Sequence, residues 1–326
     1  MSALPLQAAH GGTDDGPAPA FDFSTNANPL GPPPALLAAV QAADRRQYPD
    51  PAYRALRRHL GDEDLVLPTA GGAEGIRRLT LAALLAGRRE VWVPQPGFGD
   101  YALAAQALGM PVKAYAQLAD IRPAAPALAW ICEPCNPTGG SLAAWPELGE
   151  HLVVVDRAYE PLRLHGDAPA LPPGVWQLHC PNKALGLTGI RAGYAVAPAT
   201  DAVWRHALSL APSWVLSSEG VAMLTHWPSD DTHAWLARAR ATLRYWTAAQ
   251  RARLAALDWQ QQPSWTHFWL ARPPRPDIAL RLRERGIRVR DAASFGLAGW
   301  VRVSAQPLTA QQALQQALLE IEGEHA

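Results

Sequence analysis

The sequence predicts an α/β protein: a mostly parallel sheet covered by helices on both faces, followed by a smaller C-terminal α+β unit. Two patterns carry that expectation. Up to about Asp201, short apolar runs alternate with helix-forming stretches, as in a parallel sheet buried on both faces. Beyond it the text changes to one long helical stretch and then a mixture of short strands and helices. With 326 residues, 48% of them hydrophobic, the chain is long enough for about two domains with a sizeable core.

In order along the chain, residues 1–34 are rich in Gly, Pro and Ala, lack periodicity, and read as an arm that packs onto something else. Residues 35–46 read as a helix stopped by Tyr48-Pro49-Asp50-Pro51, and residues 54–60 as a second short helix before Gly61. A Gly-Gly turn precedes a helix over residues 74–85. Strands are expected at 90–94, 125–132, 152–155 and 175–179, with a helix at 100–108 that ends at Gly109. These make a large domain, residues 35–205. The remainder, 206–326, holds a connecting helix at 231–257 and a smaller domain. Its elements are strands at 265–270, 287–289 and 300–303, with helices at 278–285 and 310–321.

Composition narrows the function classes. The 29 basic and 29 acidic side chains cancel, so nothing draws the chain to nucleic acid or an anionic membrane. A basic site must then be local, a few arginines aimed at one small ligand. Three cysteines, Cys132, Cys135 and Cys180, are too few for a disulfide scaffold. Cys132 and Cys135 form a C-x-x-C, but no further ligands follow at zinc spacing, and a redox pair usually opens a helix early in a small domain. Ordinary reduced thiols and no metal are expected. The stretch MSALPLQAAHGG has neither a basic start nor an apolar run of signal length, and the longest aliphatic stretch, residues 79–86, is too short for a bilayer. A reduced, soluble, cytoplasmic protein is the expectation.

The chemistry gathers around Asp156, a carboxylate at the end of an apolar strand, where open α/β sheets place ligands. Alone it reads as a strand cap or a metal ligand. Three residues later stands Tyr159, twenty-seven later Lys183, and eight beyond that Arg191; Asn136, in N-P-T-G, lies twenty residues before. Each suits one part of a pyridoxal ring. A carboxylate keeps the ring nitrogen protonated, so that the ring is an electron sink. An asparagine amide and a phenol hydrogen-bond the 3-oxygen. A lysine supplies the imine nitrogen and later an acid and base, and an arginine clamps a phosphate. The small-residue turn before the helix at Glu74 offers Gly72 and Ala73 amides to the same anion, although most such turns are only turns. Phe98, in PGFGDY, is a ring-stacking candidate and equally a core aromatic.

N-P-T-G, D-x-x-Y and K-x₇-R stand in the order and spacing of the aspartate-aminotransferase-fold pyridoxal enzymes, which the sequence resembles over nearly its whole length. That resemblance implies an aspartate-aminotransferase-like fold with pyridoxal 5′-phosphate as cofactor. Lys183 would be the Schiff-base lysine, Asp156 the pyridinium partner, and Asn136 and Tyr159 the 3-oxygen ligands. Gly72, Ala73 and Arg191 would take the phosphate, with Cys180 where the family often has Ser or Thr, and Phe98 would stack on the ring. Tyr48 matches the tyrosine that reaches the neighbouring subunit's cofactor phosphate, which implies a homodimer with shared sites.

Within the family, two branches share this text: histidinol-phosphate aminotransferase and the L-threonine-O-3-phosphate decarboxylase of cobalamin biosynthesis. His10-Gly11-Gly12 and the run from Asp22 to Gly31 resemble the decarboxylase, and Arg290 and Arg302 sit where it keeps two substrate arginines. A substrate with a carboxylate and a phosphate needs two anion sites besides the cofactor's own, and Arg302 and Arg290 can supply them, with His10 and Asn26 from the arm. Read alone, His10 is a tail residue and Arg290 a surface charge. The chain departs from the family at Arg157, Cys180, Asn182 and Thr188, none of which removes a group the cofactor needs. A non-catalytic relative or a regulator ranks last, because Lys183 and Asp156 are both present and no basic patch accompanies them.

Overall fold

The computed structural model describes residues 11–145 and 149–324. Seven strands form the main sheet, in the spatial order Val66–Thr69, Gly193–Val196, Trp176–His179, Leu152–Asp156, Leu128–Cys132, Val91–Pro94 and Val112–Tyr115. Every neighbouring pair is parallel except the two made by Gly193–Val196. The central strands Leu128–Cys132 and Leu152–Asp156 are buried at every residue, as apolar runs in a sheet covered on both faces must be. The largest buried side chains here, Trp130, Trp176 and Tyr101, fix how closely the helices approach.

The C-terminal unit is a four-stranded antiparallel sheet in the order Arg290–Asp291, Val301–Ser304, Phe268–Arg272 and Gln260–Gln261. The 26-residue helix Asp230–Ala255 leads into it, with the Ser229 hydroxyl accepting from the Thr232 amide at its start. Arm residues complete this unit. Phe21–Asp22 pair in parallel with Ile287–Arg288, and Phe23 is fully buried in the second core beside Trp269 and Val303.

Several expected elements shift for local reasons. The first helix is Pro34–Gln41 and ends before residue 46, because the Asp44 carboxylate accepts from the Arg46 amide at 2.9 Å and competes with the helical ladder. The strand expected at 265–270 is Phe268–Arg272. Ser264 and Thr266 both donate their hydroxyls to the Phe268 carbonyl, which holds the preceding residues off the ladder. The strand expected at 287–289 is two strands broken at Val289, one pairing with the arm and one with Val301–Ser304.

His267 is wholly buried where the arm meets this second sheet. Burial, with the Arg302 charge acting in the same direction, holds its imidazole down at about 4 against an ordinary 6.5. A depressed histidine stabilises the fold fully above its unfolded value and loses that contribution as pH falls towards its folded value. Between about pH 7.5 and about pH 4.5 the protein should lose about 2–3 kcal/mol from this group. Denaturant unfolding of His267→Gln at both pH values checks this: the variant's acid loss should be smaller by that amount, and equal losses would refute the assignment.

Candidate active site

A cavity of about 540 Å³ opens at the carboxyl ends of the central strands, between the main sheet, the arm and the C-terminal sheet. It collects residues distant in sequence: Asn26, Gly72, Ala73, Phe98, Asn136, Asp156, Tyr159, Cys180, Lys183, Arg191, Arg290 and Arg302 all line it. One expected site residue among the described ones does not. Tyr48 lies elsewhere, 77% exposed and stacked on Trp214 with ring centroids 4.3 Å apart. His10 lies outside the described residues, whereas its neighbours Gly11 and Gly12 line the cavity.

Asp156 ends the strand Leu152–Asp156, opposite Cys132 on the next strand. Its Oδ1 accepts from the Ala158 amide at 2.9 Å and its Oδ2 from the Tyr101 hydroxyl at 2.7 Å. Burial pushes this carboxyl above its ordinary value, against the pull of Tyr101, Ala158 and Lys183. A cation brought into the cavity would therefore find a partner already oriented and short of positive charge. Sequence gives Tyr101 no role of its own; its signal is its place in Pro96-Gly97-Phe98-Gly99-Asp100-Tyr101, which resembles the P-G-F-x-x-Y of the decarboxylase branch. Phe98 itself meets Tyr101 edge-on at 5.6 Å.

Lys183 follows the strand Trp176–His179 and points to the same space, its Nζ 5.7 Å from the centre of the Tyr159 ring. The neighbouring Tyr159 raises its pKa, and burial opposes that shift. The arm steadies this segment: the Asn28 amide donates to the Lys183 carbonyl at 2.9 Å and the Asn28 side chain to the Ala184 carbonyl at 3.0 Å. Asn26 donates to Asn136 Oδ1 at 3.3 Å and to the Tyr159 hydroxyl at 3.4 Å. Its own Oδ1 is buried with no hydrogen-bond partner among the described residues.

At the other end, the 14-residue helix Gly72–Leu85 points its N-terminus into the cavity. Gly71 has φ +83°, and a Cβ there would lie 2.7 Å from the Arg191 guanidinium; a Cβ on Gly72 would lie 2.8 Å from Cys180 Sγ. Bare glycines thus let the guanidinium and thiol close over unhindered amides. Glu74 sits in this first turn but bonds the Ala70 amide and Arg78. The cup is therefore built for an anion.

Part of the wall of the same cavity is cationic. Arg302 and Arg290 are directly opposed across two antiparallel strands, both buried, and both lie over the Phe295 ring at 6.0 and 5.0 Å. Arg302 donates to Asn136 Oδ1 at 2.5 Å and to the Ser24 carbonyl at 2.6 Å. Burial lowers its pKa to about 10, which leaves it cationic at neutral pH. Arg290 donates to the Ser294 hydroxyl at 2.6 Å. Sequence reasoning also missed the arm's anchor: Asp14 accepts from Arg283 at 2.8 Å and Arg288 at 2.9 Å, and Arg288 also donates to the Gly12 carbonyl. Removing this anchor with Asp14→Ala should raise KM by about threefold with little change in kcat, as expected for a partly exposed ion pair that positions a wall. Equal loss in kcat, or recovery of nothing by Asp14→Glu, would refute it.

A protonatable lysine, a buried carboxylate, a helix-end anion cup and a donor-lined ring slot in one cavity fit pyridoxal 5′-phosphate, group for group. Fold and site together define a pyridoxal-phosphate enzyme of the aspartate-aminotransferase architecture. The chain matches the family model described as aminotransferase class I and II over residues 18–321. Histidinol-phosphate aminotransferase 1 of Thiobacillus denitrificans is 31% identical over 319 residues, covering 86% of this chain and 80% of that protein. The L-threonine-O-3-phosphate decarboxylase structure from Porphyromonas gingivalis matches with a TM-score of 0.77 and 20% identity, over 92% of this chain and 99% of that one. The Sinorhizobium meliloti histidinol-phosphate aminotransferase, in complex with pyridoxal-5′-phosphate, matches with a TM-score of 0.78 and 22% identity, over 94% and 92%. The chain belongs to the aminotransferase class I and II family, and its cofactor is pyridoxal 5′-phosphate. Among the described residues no helix is long and apolar enough to cross a membrane, and no cluster of three or more candidate metal ligands occurs.

Proposed function

We propose that this protein decarboxylates L-threonine O-3-phosphate to 1-aminopropan-2-ol O-phosphate, a step of cobalamin biosynthesis. The observation that carries the reading is the pairing of Arg290 and Arg302 across adjacent strands over one aromatic ring, in the cavity that Lys183 also lines. Directly opposed residues of an antiparallel pair lie only about 5 Å apart. Two buried guanidiniums that close suit a small ligand with two anionic groups a few bonds apart, and a β-phosphorylated amino acid has that shape.

The residue roles follow from position. Arg302 would hold the substrate carboxylate, with Asn136 already hydrogen-bonded beside it, and Arg290 the substrate phosphate, aided by Asn26 and the arm's Gly11–Gly12 stretch, with His10 next to it in sequence. When bound, the cofactor supplies an electrophilic carbon and a protonated ring that draws electrons from a bond at Cα. Asp156 would keep that ring nitrogen protonated, with Tyr101 fixing the carboxylate's orientation. Tyr159 and Asn136 would hold the 3-oxygen, and Phe98 would lie against the ring. Gly72, Ala73, Cys180 and Arg191 would take the phosphate. Lys183 would carry the cofactor and, once the substrate amine replaces it, be the base and acid nearest Cα. Two fixed arginines then decide which Cα bond stands across the ring face. Tyr48, exposed in this chain, would complete a neighbouring subunit's phosphate site, making the working enzyme a homodimer.

A second reading is transamination of histidinol phosphate or a related amino acid, favoured by the name of the 31% identical Thiobacillus protein. One experiment separates the two. The holo-protein is given L-threonine O-3-phosphate without any keto acid, and carbon dioxide and 1-aminopropan-2-ol O-phosphate are followed. Steady formation of both supports the decarboxylase. Absence of product, with glutamate formed from histidinol phosphate and 2-oxoglutarate, would replace it with the aminotransferase and leave the cofactor roles in place.

A further inference from the structure

A second cavity, of about 620 Å³, lies behind the first at the ends of the strands Val91–Pro94, Val112–Tyr115 and Leu128–Cys132. Cys132 lines both cavities and Cys135 lines the second. Cys132 ends its strand with its thiol donating to the Pro134 carbonyl at 3.3 Å, the chain bends through Glu133 and Pro134, and Cys135 returns three residues on to line the same second cavity. Cys132 is buried and Cys135 half-buried. The bend between them is held firmly: the Glu133 carboxylate accepts from the Ser141 hydroxyl at 2.5 Å, the Leu142 amide at 2.9 Å and the buried Arg163 at 2.5 Å.

We propose that Cys132 and Cys135 are a redox-active dithiol, which a low-molecular-weight disulfide reaching the second cavity converts to an intramolecular disulfide with Cys135 as the attacking thiol. The asymmetry of the pair supports this order. Cys135 is the more exposed thiol, whereas Cys132 is buried and its thiol is engaged with the Pro134 carbonyl at 3.3 Å; in the same sense Cys135 is held below its ordinary value and Cys132 above it. The Cys135 thiolate attacks one sulfur of the small disulfide, forming a mixed disulfide and releasing one thiolate. Cys132 then gives up its proton and attacks Cys135 Sγ, releasing the second small thiol. The protein loses two electrons and two protons, and the small disulfide gains them.

The site is coupled to the cofactor cavity through the chain itself. Asn136 follows Cys135 directly, Asp156 is paired with Cys132 across the sheet, and the Cys135 thiol lies 3.8 Å from the Pro96 carbonyl, two residues before Phe98. Closing a bond between the sulfurs would shift groups that must hold the cofactor ring, and misplacements near 1 Å are enough to slow such chemistry by about 10²-fold.

The test exposes the purified holo-protein to glutathione disulfide, then counts free thiols by alkylation under denaturing conditions and maps them by mass. The wild type should keep one alkylatable thiol of its three, Cys180, and lose the mass of two hydrogens. Cys132→Ser should stop with one glutathione on Cys135, and Cys135→Ser should keep both of its remaining thiols. Activity of the oxidised wild type should fall by about tenfold or more and return with a dithiol reductant. Three free thiols in the treated wild type, or glutathione retained on Cys180, would overturn the proposal; a disulfide that leaves activity unchanged would overturn its coupling to the site. Thiol counting involves no substrate, so it stands or falls separately from the proposed reaction.

Discussion

Lys183→Ala should remove the visible absorbance of the lysine-bound cofactor and lower turnover by about 10⁴-fold or more. The sequence has two lysines, Lys113 and Lys183. Lys113 is exposed on Val112–Tyr115, the strand at the edge of the main sheet, so no second amine can take over in the cavity. The readout is spectroscopic before it is kinetic: a visible band that survives the substitution would mean that the cofactor is held elsewhere. Loss of the band with a normal far-ultraviolet signal would separate loss of the amine from loss of the fold.

Asp156→Asn should leave the cofactor bound, more weakly, and cut turnover by about 10²–10³-fold. An amide can still accept from the Ala158 amide and meet the Tyr101 hydroxyl, so the local packing survives. What it lacks is the negative charge that keeps a ring nitrogen protonated. The cofactor-free variant should melt no lower than the wild type. Burial raises the Asp156 pKa in the folded state, so the ionised side chain opposes folding above that value, and a neutral amide relieves the opposition. Unchanged turnover would show that the ring nitrogen has no such partner.

The parts of the site legible in the sequence are those where chemistry and spacing coincide. Asp156, Tyr159, Lys183, Arg191 and Asn136 lie near the ends of strands or in the turns that follow them, and runs such as LVVVD announce both the strand and its functional end. Short or interrupted strands were less legible. Val112–Tyr115 is an edge strand with Lys113 and Ala114 exposed, so it presents no apolar run, and Gly193–Val196 opens with glycine and runs antiparallel in a mostly parallel sheet. Both were absent from the sequence expectation, as was Val66–Thr69.

The sequence by itself determined the alternation of strands and helices, the change of pattern near Asp201, and the group of residues suited to a pyridoxal ring, because each is written in local periodicity or in spacing along one chain. Only the tertiary structure decided how the anion wall is built. The break at Val289 sends Arg288 to the arm and Arg290 to the cavity, the arm returns Asn26 to Asn136 and Tyr159, and Tyr101 reaches Asp156 from a helix 55 residues earlier. These contacts join segments that share no periodicity. Their partners are chosen by which surfaces the folded sheets bury against each other, and that choice is made in three dimensions.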